Sequence, residues 1–426
     1  MDPRRSELPP SKLISSLRDF DLLPAIVFLP TRRRCDEAAA EVAADKSQRA
    51  DPERQQRRRE IFDEFAIENP EIRHHKHAGL IVRAGVAAHH AGHIPVWKLL
   101  IERMMSAGLL NGLFATSTVA AGVDFPARTV VISNADTRGN DGWRPLSASE
   151  LQQMTGRAGR RGRDKVGFVV LVPGQFQNPK RIAELLKAPP DPLESQFRAT
   201  YTSLLNLLDA FGNFEQVREI AEKSFAFRGE RRGDYGRLSD RIWRPFENRA
   251  RVLDHFGYID HEAETVTESG KWLADLRIDR PLLIGEALRN GVFDDLKASE
   301  AAGLMASVAA DADRSYGEMH TSRRMDTILT DFEEIVISVS NVEWKNGVEP
   351  AEEINFSAAA AAERWTAGME WDELVDRTRA EEGDLVRLLS RTGEALRQLA
   401  DLKASNPAAA AIAAAAADAI LREPVR

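Results

Sequence analysis

QMTGRAGRRG, residues 153–162, sets glycine at every third position, Gly156, Gly159 and Gly162, with Arg157, Arg160 and Arg161 between them. Glycine lets a backbone turn tightly and approach a ligand closely. Guanidinium groups stay charged and fork around phosphate oxygens. The pattern therefore predicts a phosphate-facing turn. SASELQQM (147–154) before it reads as a helix, and GFVVLV (167–172) after it reads as a strand. A disordered Arg-Gly tail would not sit between two such periodic apolar segments.

Working outward, AIVFL (25–29) is a short apolar run closed by Pro30, the pattern of a buried strand, and TRRRCDEAAAEVAA (31–44) reads as a helix capped by Thr31. The charge-dense stretch 49–66 reads as a solvated helix. Strands are expected at 85–90, 113–116 and 129–133, with a helix from Pro95 to about Ala107. Strands alternating with helices predict an α/β domain with a parallel sheet flanked by helices. Past Pro189, Pro190 and Pro192 the pattern changes. Helices are expected at 194–211 and 214–225, then a polar loop at 229–240. A helix at 249–260 and a hairpin at 265–276 should follow, an order that suits a winged helix. From about 281 the pattern is all-helical. Leu385, Leu389, Leu396 and Leu399 line one helix face, and the alanine-rich tail at 408–419 has high helix propensity, with a low complexity that leaves it open to fraying.

The chain has 426 residues, 43% hydrophobic and 29% charged, which suits two or three globular domains. Its only cysteine, Cys35, excludes an internal disulfide framework and reads as a packing residue in a reducing compartment. No apolar run approaches the ~20 residues of a membrane span, and MDPRRSELPPSKL lacks a signal-peptide core. A cytoplasmic location without a membrane partner is expected. The net charge of −8 is unlike that of a basic nucleic-acid binder, yet residues 152–165 hold five basic side chains against one acid.

Four stretches, in order, resemble the second RecA-like domain of superfamily 2 DExH helicases. AIVFLPTRRRC (25–35) is similar to motif IV, GVAAHHAG (85–92) to the segment after it, FATSTVAAGVDFPA (114–127) to motif V and QMTGRAGRRG to motif VI. HHAG, FPARTVV and GRAGRRG together resemble the superkiller-type RNA helicases. PLESQFRATYTSLLNLL (192–208) and GEALRNGVFDDL (285–296) resemble that group's winged helix and DSHCT helical domain. The resemblance implies three regions: a second RecA-like domain at 1–190, a winged-helix region without an arch insertion at 191–280, and a DSHCT-type bundle at 281–426.

The resemblance also implies roles. Arg157 and Arg160 would act as arginine fingers on the γ-phosphate of ATP, and Gln153 would share that surface. Gly122 would allow close backbone approach, and Asp124, where relatives often carry Asn, would accept from the ribose. Thr31, Arg32, Thr116 and Thr118 would hold the phosphates of single-stranded RNA without reading sequence. The implied activity is ATP-dependent 3′-to-5′ RNA unwinding. The rival expectations are a non-catalytic RNA-binding module and a DNA-repair helicase acting on DNA.

Neither GxxxxGK[ST] nor a DExH box occurs in the chain, and Asp63-Glu64 and Asp372-Glu373 lack the residues that would complete one. The first RecA-like domain, which would hold most of the ATP and its Mg²⁺, is expected in cis or in trans. This chain alone is expected not to hydrolyse ATP. Six of the nine histidines fall between His74 and His93, but no acid or cysteine lies at ligand spacing, so a packed histidine patch without metal is expected. Trp365 and Trp371 read as core anchors, and Trp143 as a base-stacking candidate.

Overall fold

A computed structural model describes residues 8–426, other than 49–50, 121–126, 140–141, 175, 194, 196, 225–234, 312–313 and 351–352. The chain forms two compact units, Met1–Pro192 and Leu193–Arg426.

Unit 1 is built on five parallel strands in the order β2-β3-β1-β4-β7. These are β1 (Ala25–Phe28), β2 (Val86–His89), β3 (Gly112–Ala115), β4 (Thr129–Ile132) and β7 (Phe168–Leu171). A separate antiparallel pair, β5 (Asp136–Gly139) and β6 (Gly142–Pro145), lies between β4 and the helix before the turn. Among the described residues, seven α-helices complete the unit: α1 (Pro10–Asp19), α2 (Arg32–Ala44), α3 (Pro52–Glu68), α4 (Ala78–Ala84), α5 (Pro95–Ser106), α6 (Ala148–Thr155) and α7 (Pro179–Lys187). The central strand β1 pairs in register with β3 on one side and β4 on the other. Ala25 and Val27 pack with Leu13, Ile14 and Leu17 of α1 and Ala38, Ala39 and Val42 of α2. Ile26 and Phe28, on the opposite face, are buried as well. Burial on both faces is why these strands read as unbroken apolar runs. The expected strands and the parallel sheet are present, as is the Thr31 cap, whose hydroxyl accepts from Arg34 N.

The charged helix α3 buries Phe65 and Ala66 near its end, and among its charged residues it departs from the solvated reading at Arg58. Arg58 is fully buried; its Nε donates to Val82 O at 2.9 Å, and its Nη1 and Nη2 donate to Leu109 O and Arg83 O. It thus closes the C-terminal carbonyls of α4 and of the segment after α5, where the helix dipole is negative. Gly85, at φ 64°, makes room for it: a Cβ there would lie 2.9 Å from Arg58 Nη1. Burial, and the charge of Arg54, bring Arg58 down to about 10. It remains a cation at neutral pH.

Among the described residues, the regular structure of unit 2 is helical apart from one short hairpin. Its helices are α8 (Tyr201–Phe211), α9 (Phe214–Lys223), α10 (Tyr235–His255), α11 (Glu268–Asp275), α12 (Pro281–Arg289), α13 (Ala298–Ala309), α14 (Arg323–Lys345), α15 (Phe356–Thr366), α16 (Trp371–Thr378), α17 (Glu382–Asp401) and α18 (Pro407–Ile420). The first starts at the Thr200–Ser203 capping box rather than at 194. The loop expected at 229–240 is helical from Tyr235, and its earlier part lies outside the described residues. The hairpin is β8 (Ile259–Asp260) with β9 (Thr265–Val266), not 265–276, because Thr267 caps α11 through Gly270 N.

The alanine-rich tail is a packed helix, as its propensity predicts, and its burial holds it against fraying. Ala409, Ala410, Ala413, Ala416, Ala417 and Ile420 of α18 are buried. Small side chains let helices approach closely; a Cβ on Gly303 of α13 would lie 3.1 Å from Ala359 O of α15. Trp365 Nε1 donates to Ile420 O at 2.8 Å, and the Arg422 guanidinium sits 3.5 Å from the Trp365 ring centroid. Trp365 and Trp371 are core anchors, as read.

Replacing Arg58 with Met should lower the stability of the chain by about 3 kcal/mol, since two buried carbonyls and a part-buried third lose their donor. Arg57→Met, at an exposed neighbour, should stay within about 0.5 kcal/mol. Urea-induced unfolding of both variants measures the contrast.

Candidate functional site

The parallel sheet gives unit 1 two polar edges, and the expected site residues divide between them. Each strand is four residues long, so the edges lie about 10–13 Å apart.

The glycine–arginine turn lies at the N-terminal edge. Ala127, two residues before β4, donates to Arg157 O at 3.0 Å and accepts from Gly159 N at 2.7 Å. Gly159 adopts φ 92°, a left-handed conformation that favours glycine. Gly167 faces the turn so closely that a Cβ on it would lie 2.5 Å from the Ala158 carbonyl. The glycine spacing is therefore met by two main-chain approaches, one to β4 and one to the start of β7.

Arg160 is already held. Its Nε and Nη2 fork onto Asp164 Oδ2 and Oδ1 at 2.7 and 2.9 Å, and its backbone N donates to Oδ2 at 3.0 Å. The Asp164 side chain is 3% exposed. Hydrogen bonds from Arg160, only partly opposed by burial, hold its carboxyl at about 2. Arg157 is half-buried and Gln153 is exposed on α6, while the neighbouring Gln152 ties α6 to Ala188 O. Arg128 pairs with Asp21 at 3.0 Å on the same edge. Gly122 and Asp124 lie outside the described residues.

The other set lies at the C-terminal edge. Thr31 and Arg32 follow β1 and open α2; Thr116 follows β3, its carbonyl accepting from Val119 N. Thr118 is in a short 3-10 helix beyond it. Thr31, Arg34, Asn134, Trp143 and Phe176 line a cavity of about 320 Å³. Trp143 is 58% exposed and stacks on Phe176, with centroids 6.2 Å apart. Lys98 of α5 is held below the usual lysine value by burial and, against the pull of Glu102, by the charge of Arg32. An aromatic face beside cations and hydroxyls suits a polyanion with stackable rings.

The histidines converge at this edge too, and the acid that chain spacing does not supply comes from α2. Asp36 Oδ1 lies 3.0 Å from His90 Nε2 and 3.4 Å from both His77 Nε2 and His93 Nε2; Lys76 Nζ sits on Oδ2 at 2.7 Å. His75 stacks on Trp97 at 3.8 Å. Burial opposes the Asp36 charge, but hydrogen bonds from His90 and Lys76, with the His93 and His77 rings close by, outweigh it and keep the carboxyl well below its usual range. Burial pushes the Cys35 thiol up, in keeping with a packing role.

Sequence reasoning missed Asp164, Arg128, Arg34, Lys98 and Asp36. Only Asp164 had a local signal, an acid four residues after Arg160.

These features describe an α/β unit with a parallel sheet flanked by helices, followed by a helical unit, and comparison with known proteins finds relatives for part of the chain. Residues 263–426 match the DSHCT (NUC185) domain. The chain is 37% identical over 242 residues to the Arabidopsis thaliana DExH-box ATP-dependent RNA helicase DExH15, chloroplastic, covering 52% of this chain and 20% of that protein. It is 34% identical over 220 residues to the mouse exosome RNA helicase MTR4 (50% and 21%), and 35% identical over 230 residues to the Saccharomyces cerevisiae antiviral helicase SKI2 (50% and 17%). Over about half of its length the chain is similar to superkiller-type DExH-box RNA helicases, and its C-terminal residues match the DSHCT domain. The matched stretch is about a fifth of the length of these curated relatives. Among the described residues, no helix is long and apolar enough to cross a membrane.

Asp164→Asn should weaken the Arg160 fork and cost about 1.5–3 kcal/mol at neutral pH. Because the folded carboxyl titrates near 2 rather than its ordinary 3.8, its contribution is complete above about pH 4 and lost as pH falls towards 2. Denaturant titrations across that range should show wild type and variant converging at the acid end.

Proposed function

We propose that this chain supplies the second motor lobe and the DSHCT bundle of an ATP-dependent 3′-to-5′ RNA helicase. The observation that carries the reading is the pair of motif VI arginines at one sheet edge, Arg160 held in a fork by an almost buried carboxylate. Such an arginine is oriented before any phosphate arrives, the arrangement that stabilises charge in phosphoryl transfer at least reorganisation. In this reading Arg157 and Arg160 address the γ-phosphate, Gln153 shares that surface, and Gly122 and Asp124 approach the nucleotide. The Mg²⁺ that accompanies ATP would be held elsewhere: Asp164 and Asp21, the acids described at this edge, are both paired with arginine. A first RecA-like domain, in cis or in trans, would bind the rest of the nucleotide.

Thr31, Arg32, Thr116 and Thr118 would hold single-stranded RNA at the opposite edge, with Trp143 stacking a base. The domain reading of 1–190, 191–280 and 281–426 is carried into this proposal, with the hairpin Ile259–Val266 after α8–α10 supporting a winged helix in the middle region. The 3′-to-5′ direction rests on the resemblance, and a cytoplasmic location is part of the same reading.

The purified chain should bind single-stranded RNA with an affinity that falls with salt, and turn over negligible ATP. Trp143→Ala should weaken RNA binding about tenfold. Fluorescence anisotropy and a phosphate-release assay measure these. Robust hydrolysis by the chain alone would overturn the two-lobe reading, and preference for single-stranded DNA in competition would move it to a DNA helicase.

A further inference from the structure

We infer that the C-terminal edge of the unit 1 sheet carries a binding site for a zinc-class divalent cation, with Asp36, His90 and His93 as ligands. Their ligand atoms all lie within 4.8 Å of one another. A tetrahedral ion with bonds of about 2.0–2.1 Å separates its ligand atoms by about 3.3–3.4 Å. The two carboxylate–imidazole distances, 3.0 and 3.4 Å, are already close to that length. The His90 and His93 rings lie beside each other, with centroids 3.9 Å apart. His77 Nε2, 3.4 Å from the same oxygen, is a further nitrogen at the carboxylate.

A second observation is independent of these spacings. His93 is 1% exposed, yet neither of its ring nitrogens makes a hydrogen bond. A neutral imidazole carries one donor and one acceptor, and buried groups of this kind are normally satisfied. An ion on Nε2 would satisfy the acceptor.

Three contacts oppose occupancy, the first being the His90 Nε2–Asp36 Oδ1 hydrogen bond at 3.0 Å, which an ion between the two atoms would replace. Lys76 sits on Oδ2, but it is more than half exposed and leaves Oδ1 to face the imidazoles. Gly92 N donates to His90 Nδ1 at 3.1 Å, so an ion on Nε2 would require the ring proton to move to Nδ1 and that main-chain hydrogen bond to be given up. One such bond is minor beside the affinity of an imidazole–carboxylate set for zinc. The mixed nitrogen and oxygen donors favour zinc or its first-row neighbours over Mg²⁺ or Ca²⁺, which prefer all-oxygen sets.

The test is Zn²⁺ titration of the untagged, chelator-treated full chain by calorimetry, with Co²⁺ as a spectroscopic probe of the wild type. One equivalent of Zn²⁺ and the intense visible bands of tetrahedral Co²⁺ are expected. Asp36→Asn and His93→Gln should each weaken zinc binding at least tenfold, while His74→Gln, at an exposed histidine of the same run, should not. The absence of stoichiometric binding, or a weak octahedral Co²⁺ spectrum in the wild type, would overturn the site whatever the variants do. So would zinc binding that persists undiminished in both Asp36→Asn and His93→Gln.

Discussion

Burial of the central strand on both faces governs unit 1. With Ala25 and Val27 packed on one side and Ile26 and Phe28 buried on the other, β1 has no face left for polar chemistry. Parallel pairing then sends every strand the same way, so loops carrying polar groups collect at two edges. Motif residues far apart in sequence are gathered by that rule: Thr31 and Thr116 at one edge, Arg157 and Arg160 at the other. The separation is a property of sheet depth. A change that tilted or slipped β1 would move both sets at once.

Much of this was legible because each motif is local. The glycine–arginine turn, the Thr31 cap and the five strands show themselves within a few residues, through left-handed backbone, side-chain capping and apolar runs. What escaped was contributed from a distance. Asp36 sits beside His90 and His93 only because α2 and the loop after β2 meet at one edge, and the spacing 36 to 90 carries no such information. Arg58 lies in a run of charges that otherwise faces water; its burial is dictated by carbonyls of α4 and the segment after α5. The tail at 408–419 is helix-forming but low in complexity, and what its composition alone does not show is the tertiary packing of its small side chains against α13 and α17.

In unit 2 closeness replaces bulk. Alanine and glycine on α13, α15 and α18 let backbones approach, and the larger anchors sit at the ends, as Trp365 does beneath Arg422. Packing of this kind tolerates little added volume, because a close-packed interior has few voids to receive it.

The Arg160–Asp164 fork has a consequence for charge. An arginine waiting in water must shed its hydration when an anion arrives, and the gain from the new pair is reduced by that loss. Arg160 has already been drawn from solvent by a neighbour four residues along the same turn. Any phosphate that reaches this edge competes with a carboxylate rather than with water, and the event becomes an exchange of anions around a stationary cation. Exchange of that type sets selectivity by geometry: the incoming group must match or share the fork that Asp164 already fills, and a lone negative charge without two aligned oxygens gains little from displacing it.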